Sequence, residues 1–330
     1  MSGEAPRPKG PDDKKPILMG LIALLGLLVM GVFADKVLGS APDVPTAPVS
    51  LHGQASDPVS ALPIAPAGLQ DAIEQFARRE AGRNGVLVRS VEDEWIAGFR
   101  GATTFPQGSL RRIWLGAALL DAVDRGELRL DQRVPLLAVS RKGQQPREQV
   151  GELLRRAVED DDRQAQDHIL DGLNGSQGMA RWLEEKEIEE VVYGPAYRDL
   201  AKSRERNGKA GAQDPADGAT PDGMAFGLSQ LFAGKLLSGN SSRLLLSFFT
   251  GQPTPAGQGA EPGWNILRMT GETASNNGRP LAASGAALVR SRTGRRFVVT
   301  VFADGSADAT GRCDRLLNGA VSAIEVRETR

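Results

Sequence analysis

Cysteine and histidine are scarce in this sequence, and their scarcity limits the chemistry available to the chain. Cys313 is the only cysteine among 330 residues, which excludes a disulfide within the chain and any metal site built from several cysteines. Its apolar spacing indicates a buried small residue and not a reactive thiol. The two histidines are His52 and His168, so a Ser-His-Asp triad is hard to assemble. We predict no metal and no other cofactor.

The chain also lacks net charge. Forty basic and 41 acidic residues give a formal net charge of -1, so no overall field draws the protein toward nucleic acid, and a nucleic-acid partner is not expected. Hydrophobic residues make up 40% of the chain. That share is ample for a packed core and excludes disorder throughout.

A long apolar run without charged residues is present near the N-terminus, at residues 17–34. Its 18 residues are just enough to span a bilayer. Lys14 and Lys15 precede it, which favours a cytoplasmic N-terminus. We therefore predict a cytoplasmic segment at residues 1–16, a transmembrane signal anchor at 17–34 and a C-terminal domain on the periplasmic or extracellular side. The alternative is a cleaved secretory signal, because Val32-Phe33-Ala34 offers small residues at suitable offsets.

The composition changes twice after this run. Residues 35–66 are rich in proline, alanine and serine, which is typical of an extended tether. Residues 67–330 show no internal repeat and no second linker of comparable length. We predict a single folded domain there, held away from the membrane by the tether.

Hydrophobic periodicity and turn residues predict an α+β fold for this domain. Helices are predicted at residues 69–80, 110–125, 148–158, 163–173, 177–185, 221–237, 241–249 and 307–325. Strands are predicted at residues 86–90, 94–98, 265–270, 282–290 and 296–303. Two strands, a long helical insertion, three strands and a final helix imply one antiparallel five-stranded sheet whose first and last parts meet.

Three short segments carry the most specific signal. Ser109-Leu110-Arg111-Arg112 and Asp161-Asp162-Arg163 each open a predicted helix, and Met269-Thr270-Gly271 lies in a predicted strand after Gly263-Trp264. In order and spacing they resemble the S-x-x-K, S-D-N and K-T-G motifs of class A serine β-lactamases and the related D-alanyl-D-alanine peptidases. The resemblance covers nearly all of the folded region and implies the β-lactamase/transpeptidase-like fold, in which helices flank the sheet and an all-helical part is inserted.

The resemblance also implies roles, and the sequence departs from most of them. Ser109 stands at the position of the nucleophile. Arg112 replaces the lysine that can lose and relay a proton, and arginine stays protonated in proteins. Asp161 replaces the serine that passes a proton to the leaving group, and Arg163 replaces the asparagine that holds substrate. Met269 replaces the lysine that pairs with a substrate carboxylate.

The remaining pocket residues follow from the same resemblance. The polar stretch at residues 189–220 occupies the place of the family's omega loop, and Tyr197 falls where the family has the glutamate that activates the deacylating water. Tyr197 is a candidate replacement base if a nearby cation lowers the pKa of its hydroxyl. Asp162, Thr270, Gly271 and Glu272 complete the predicted pocket.

The substitutions come in opposite charges. Arg112 and Arg163 add fixed cations, whereas Asp161 and Asp162 add carboxylates. A bidentate pair between an arginine and a carboxylate would fit this pattern. We therefore expect Arg112 to pair with Asp161 or Asp162 across the former pocket, closing it or reshaping it for another ligand.

Each predicted site residue has a structural alternative as well. Ser109 suits a plain helix N-cap, the aspartates at 160–162 suit an acidic cap on the following helix, and Met269 suits strand packing. Arg292-Thr293-Gly294 matches the third motif more closely, but it lies where a turn between the last two strands belongs. If the similarity arose by chance, the sheet order would differ and no groove would lie between Ser109 and Thr270.

Taken together, the motifs predict a membrane-anchored, extracytoplasmic β-lactamase-like protein without hydrolytic activity. Such a protein would act as a binding or scaffolding component of the cell envelope, with a peptidoglycan peptide or another envelope protein as its partner. The alternative is an active acyl-serine hydrolase, either a β-lactamase or a D-alanyl-D-alanine peptidase, that uses Ser109 with an unrecognised base.

Overall fold

The fold is given by a computed structural model, which describes residues 64–136, 146–200, 217–249, 264–273, 280–305 and 308–328. These residues fall within one compact unit, Ser60–Arg330. The predicted cytoplasmic segment, the predicted signal anchor and the predicted linker up to residue 63 lie outside the described residues. Within the described ranges, no helix is both long enough and apolar enough to cross a membrane.

The described residues contain eight α-helices and ten strands. The helices are α1 (Leu69–Arg79), α2 (Arg112–Asp124), α3 (Val150–Val158), α4 (Arg163–Gly172), α5 (Gly175–Glu185), α6 (Pro221–Ala233), α7 (Gly239–Ser247) and α8 (Ala309–Glu328). The strands are β1 (Arg83–Ser90), β2 (Ile96–Phe99), β3 (Phe105–Pro106), β4 (Arg133–Pro135), β5 (Arg147–Gln149), β6 (Val191–Val192), β7 (Gly218–Ala219), β8 (Asn265–Glu272), β9 (Ala282–Arg290) and β10 (Arg296–Asp304).

Five strands form the central sheet in the order β2-β1-β10-β9-β8. Every neighbouring pair is antiparallel. The first and last parts of the chain meet where β1 pairs with β10, with Val88 opposite Val299. At one edge β8 pairs with β9, with Thr270 opposite Gly285. The predicted α+β fold with a five-stranded antiparallel sheet is confirmed.

Helices cover both faces of this sheet. On one face α1 and α8 pack over a core that contains Ile73, Val299 and Leu316. On the other face α2 and α6 surround a larger core around Trp114, whose side chain is completely buried. Because α2 is buried on nearly all sides, its sequence is apolar almost without interruption.

Several element boundaries differ from the prediction, and three of the differences have a clear local reason. Helix α2 begins later than predicted because Gly108–Arg111 form a tighter 3-10 turn. Helix α6 begins at Pro221 as predicted, but it ends at Ala233 because Gly234 adopts the left-handed conformation, with φ 74°, that commonly terminates helices. Strand β2 begins later because Glu94 has a φ of 59°, which is incompatible with the extended conformation of a strand.

Five short strands were not predicted from the sequence. Strands β3, β7 and β6 form a small three-stranded sheet, and β4 pairs with β5. Each has two or three residues, which is too short for an alternating pattern to be recognised.

A side chain closes the β2 edge of the large sheet. Gln70 of α1 donates from Nε2 to the carbonyl oxygen of Gly98 at 2.9 Å, and the N–H of Gly98 donates to Oε1 of Gln70 at 2.9 Å. Unpaired edge groups are sites where other strands can add, so this pair of hydrogen bonds protects the centre of β2.

Candidate functional site

Ser109 lies in the 3-10 turn that leads into α2, beside the end of strand β8. Its side chain is buried, and its Oγ accepts a hydrogen bond from the N–H of Glu272 at 3.1 Å. The residue that precedes the first turn of α2 is Arg111, and no side chain caps that end of the helix. The interpretation of Ser109 as a plain N-cap is therefore wrong. The hydroxyl instead meets a strand amide, the type of donor that stabilises an oxyanion in acyl transfer.

The turn and the strand approach each other so closely that glycine is required on both sides. A Cβ on Gly271 would lie 2.3 Å from the backbone nitrogen of Leu110, and a Cβ on Gly108 would lie 2.8 Å from the carbonyl carbon of Glu272. Gly108 also has a φ of 57°, which glycine adopts readily. Gly271 thus permits the packing that brings the Glu272 amide to Ser109.

The guanidinium of Arg112 is buried and held by one group from each predicted motif. Its Nη1 lies 3.3 Å from Oδ1 of Asp161 and 3.4 Å from the carbonyl oxygen of Ser109. Its Nη2 donates to the carbonyl oxygen of Thr270 at 3.1 Å. The predicted pairing of Arg112 with Asp161 is confirmed, although the second guanidinium nitrogen contacts a backbone carbonyl and not the same carboxylate.

The two neighbouring aspartates have different partners. Oδ1 of Asp162 accepts from the N–H groups of Gln164 at 2.9 Å and Ala165 at 3.2 Å, so the interpretation as a helix cap is correct for Asp162. Asp161 has a φ of 54° and directs its carboxylate to Arg112 and to Nε2 of Gln166, which lies 2.8 Å from Oδ1. Of the two carboxylates, Asp161 is the one that closes onto the Ser109 turn.

Guanidinium and phenol groups alternate in a stack beside the same turn. The guanidinium carbon of Arg111 lies 4.2 Å from the ring centre of Tyr193 and 4.8 Å from that of Tyr197. The guanidinium carbon of Arg163 lies 5.0 Å from the ring centre of Tyr197. Arg111 is fully buried, whereas Arg163 is exposed. Tyr197 and Arg163 were predicted to line the pocket, whereas Arg111 and Tyr193 were not predicted from the sequence.

Tyr197 is poorly suited to act as a replacement base. Burial raises the pKa of its hydroxyl above the usual tyrosine value, and the nearby Arg111 offsets only part of this rise. Burial raises the pKa of Tyr193 as well. Since desolvation disfavours a phenolate, Tyr197 stays neutral at physiological pH, and the expectation that a cation would lower its pKa is not met.

Buried polar side chains fasten the segment that carries Tyr197. Asp167 accepts hydrogen bonds from the N–H of Tyr197 at 2.7 Å and from the next N–H at 2.9 Å. Arg111 donates to the carbonyl oxygen of Pro195 at 2.9 Å and lies 3.2 Å from the carboxylate of Asp217. Both described ends of the predicted omega loop therefore contact the Ser109 turn or α4, and residues 201–216 lie outside the described part. No sequence motif indicated that Asp167 and Asp217 hold the ends of this loop.

Met269 belongs to the core and not to a pocket. Its side chain is 1% exposed and packs in the cluster that contains Leu110 and Trp114. The strand-packing interpretation of Met269 is correct, and its assignment to the predicted pocket is wrong. Arg268 lies on the opposite face of β8, where it donates to Asn318 of α8, as strand alternation predicts.

The other predicted features have clear positions. Glu272 is exposed, and its carboxylate accepts from the hydroxyl of Thr310 at 2.6 Å. Arg292-Thr293-Gly294 forms the turn between β9 and β10, where the N–H of Gly294 donates to the carbonyl oxygen of Ser291 at 3.0 Å.

Burial raises the pKa of the Cys313 thiol, which agrees with a structural cysteine. Among the described residues, no group of acidic, histidine and cysteine side chains is arranged to hold a metal ion.

The match to a known family covers most of the domain that contains this site. A family model described as the beta-lactamase enzyme family matches residues 68–324. This chain belongs to the beta-lactamase enzyme family. The resemblance seen in the three motifs is thereby confirmed, and a chance similarity is excluded. No curated protein sequence gives a significant match to this family member.

Solved β-lactamase structures share the fold. A β-lactamase from Chitinophaga pinensis DSM 2588 is 18% identical with a TM-score of 0.66, and the match covers 78% of this chain and 98% of that chain. A β-lactamase from Xanthomonas campestris pv. campestris is 21% identical with a TM-score of 0.64, covering 79% and 97%. An ancestral class A β-lactamase is 24% identical with a TM-score of 0.63, covering 78% and 99%. At these identities the likeness establishes the fold, and function has to be inferred from the site.

Proposed function

We propose that this β-lactamase-family protein has lost hydrolytic activity and serves as a binding or scaffolding component of the cell envelope. Its partner is a peptidoglycan peptide or another envelope protein. One observation carries the proposal: a buried arginine, Arg112, stands where the family places a titratable lysine. Its guanidinium is held by Asp161 and by the carbonyl oxygens of Ser109 and Thr270.

Acylation of a serine requires a group that accepts the hydroxyl proton. Arg112 cannot do so, because a guanidinium stays protonated in proteins. Tyr197 is disfavoured as a base, because burial raises the pKa of its hydroxyl. Asp161 already accepts from Gln166 and pairs with Arg112. The side chains at the positions where the family has its proton-transfer groups are thus engaged in contacts within the protein and cannot readily accept the proton of Ser109.

The strand side of the site supports the same proposal. The family's third motif presents a lysine to the substrate carboxylate, whereas Met269 is buried in the apolar core. A substrate of the family's usual kind would therefore lose an ionic anchor as well as a base. Loss of both elements argues for retention of the fold as a binding surface.

The proposed location rests on the N-terminal sequence. The apolar run at residues 17–34 follows Lys14 and Lys15, which favours export of everything after it. We propose that this run anchors the protein and that residues 35–66 hold the domain away from the bilayer. A protease-protection assay tests this location, because a protease that cannot cross the cytoplasmic membrane cleaves an exported domain, either on intact cells or after an outer membrane has been permeabilised. Protection of the domain until the inner membrane is lysed would contradict it.

A covalent labelling experiment tests the loss of activity. The full-length protein is incubated with a fluorescent penicillin, and labelling is measured by gel fluorescence and intact mass, with Ser109→Ala as the matched control. We expect wild type and Ser109→Ala to give the same background signal. Stoichiometric labelling that depends on Ser109 would overturn the proposal, and slow turnover of a chromogenic cephalosporin would in addition demonstrate deacylation.

The second candidate function is an active acyl-serine hydrolase. It is favoured by one feature, the 3.1 Å hydrogen bond between the Glu272 N–H and Ser109 Oγ, which keeps a strand amide beside the serine as acyl transfer requires. The same labelling experiment separates this candidate from the proposed binding role.

A further inference from the structure

The cations around the Ser109 turn differ in whether they are already paired. Arg112 is held by Asp161 and two carbonyl oxygens. Arg111 is fully buried and contacts Asp217 and the carbonyl oxygen of Pro195. Each guanidinium is already paired with a carboxylate of the protein, so neither is available to bind an anionic ligand.

Arg163 is the exception. Its side chain is exposed, and the contact that defines its position is the ring of Tyr197, 5.0 Å from the guanidinium carbon. Among the residues that the structure describes, no hydrogen bond or ion pair involves the Arg163 guanidinium. Stacking on an aromatic face leaves the N–H groups at the edge of a guanidinium free to donate hydrogen bonds. Two of these N–H groups can bind both oxygens of one carboxylate.

The ring on which Arg163 stacks is held by several contacts within the protein. The ring of Tyr197 also packs on Arg111, whose guanidinium carbon lies 4.8 Å from the ring centre, and the N–H of Tyr197 donates to Asp167 at 2.7 Å. A ring fixed in this way holds the arginine in place before a ligand arrives, which lowers the entropy cost of binding.

Arg163 also lies next to the site. It follows Asp162, the N-cap of α4, and Asp161, which pairs with Arg112. The start of a helix carries partial positive charge and disfavours a cation, so an arginine in the first turn carries an electrostatic cost that an anionic ligand would relieve.

We infer that Arg163, stacked on Tyr197, is the residue that binds the carboxylate of the ligand, in place of the anchor lost at Met269. This inference rests on the proposed binding function. It makes Arg163 a specificity-determining residue for ligands that carry a carboxylate, which is supplied either by the C-terminus of a peptide or by the acid group of a β-lactam ring.

The test compares each ligand with its uncharged counterpart on the full-length protein. One arm uses a dye-labelled peptide ending in D-alanyl-D-alanine and its C-terminal amide, and the other uses a fluorescent cephalosporin and its methyl ester. Binding is measured by fluorescence anisotropy in wild type, Arg163→Gln and Arg163→Lys. Arg181→Gln, which alters an exposed arginine on α5, is the matched control.

We expect wild type and Arg181→Gln to prefer the acid over its uncharged counterpart by about tenfold or more, the size of a charge-assisted hydrogen bond. Arg163→Gln should abolish the preference, and Arg163→Lys should restore part of it. A merely structural role for Arg163 would weaken binding of both forms equally. The arm that shows the preference identifies the source of the carboxylate.

Three results would overturn the inference: equal binding of acid and uncharged form to wild type, no binding of any probe, or a preference that survives in Arg163→Gln. Intact mass of the same samples keeps the two proposals apart. An acyl adduct on Ser109 would contradict the proposed loss of hydrolytic activity. If wild type shows no preference for the acid and no adduct forms, the inference about Arg163 fails while the proposed loss of hydrolytic activity stands.

Discussion

The side chain of Arg112 is 4% exposed, whereas its partner Asp161 keeps 35% of its side chain exposed. The pair is therefore asymmetric: water can solvate the carboxylate if the arginine is removed, but it cannot reach the guanidinium if the carboxylate is removed. Without Asp161 the buried guanidinium keeps the carbonyl oxygens of Ser109 and Thr270 but loses its counter-charge, which is costly, so loss of Asp161 should harm the fold more than loss of Arg112.

A double-mutant cycle measures this asymmetry. We expect Asp161→Asn to lower the free energy of unfolding by about 2–3 kcal/mol and Arg112→Met by about 1–2 kcal/mol. The double variant should lose less than the sum, with a coupling of about 1 kcal/mol or more. Urea denaturation gives the three values. Strict additivity would show that the ion pair does not contribute to stability.

Met269 provides a test of whether the third motif lines a pocket or the core. Because Met269 is 1% exposed, Met269→Lys would bury an unpaired ammonium, and we expect it to lower the free energy of unfolding by about 3 kcal/mol or more. Met269→Leu keeps the volume and should cost less than about 1.5 kcal/mol. Thermal unfolding of both variants is the measurement. A Met269→Lys variant as stable as Met269→Leu would place residue 269 in a solvated cleft.

Tyrosine ionisation is expected only in strongly alkaline solution. Tyr193 and Tyr197 are the two tyrosines of the chain, and burial raises the pKa of both hydroxyls above the ordinary value of 10.0. A raised pKa means that the folded state holds its protons more tightly. The associated stability is fully present below pH about 10 and is lost as the pH rises through the folded-state pKa values.

Ultraviolet absorbance of tyrosinate measures this directly, with Tyr197→Phe to separate the two residues. We expect the absorbance to rise together with unfolding, in one cooperative step. A tyrosine that ionises near or below pH 10 in the folded protein would contradict the described burial and would revive Tyr197 as a candidate base.

Gly271 is expected to be the least replaceable residue of the third motif. A Cβ at this position would lie 2.3 Å from the backbone nitrogen of Leu110, so Gly271→Ala must push β8 away from the Ser109 turn. We expect a loss of about 2–4 kcal/mol of stability. Gly172→Ala is the control, because nothing lies within 4 Å of a Cβ placed there. Equal unfolding midpoints for the two variants would mean that the strand and turn are not in close contact.

The parts of the fold that were predictable are those with long periodic patterns. Strands β9 and β10 alternate or run apolar over nine residues, and α2 is apolar on nearly all sides, so their existence and type follow from the sequence. Short pairings such as β6 with β7 depend on which chain segments meet in space. Two residues carry too little pattern to indicate such a pairing.

In the candidate site, ion pairing could be predicted from the sequence, whereas the burial and direction of side chains that depend on packing could not. Opposite charges at Arg112 and Asp161 indicated an ion pair, and the pair is present. By contrast, Arg111 and Arg112 are adjacent in sequence, yet the change from 3-10 turn to α-helix directs them into different clusters. The burial of Met269 likewise depends on how closely α2 approaches the sheet, which no local pattern specifies.

The two hydrogen bonds between Gln70 and Gly98 have a further consequence for crowded conditions. When two copies of the domain meet at the β2 edge, the backbone N–H and carbonyl of Gly98 are already hydrogen-bonded to Gln70. Strand pairing between the two sheets is therefore opposed at this position. Gln70→Ala would expose those groups and should make the protein more prone to self-association at high concentration.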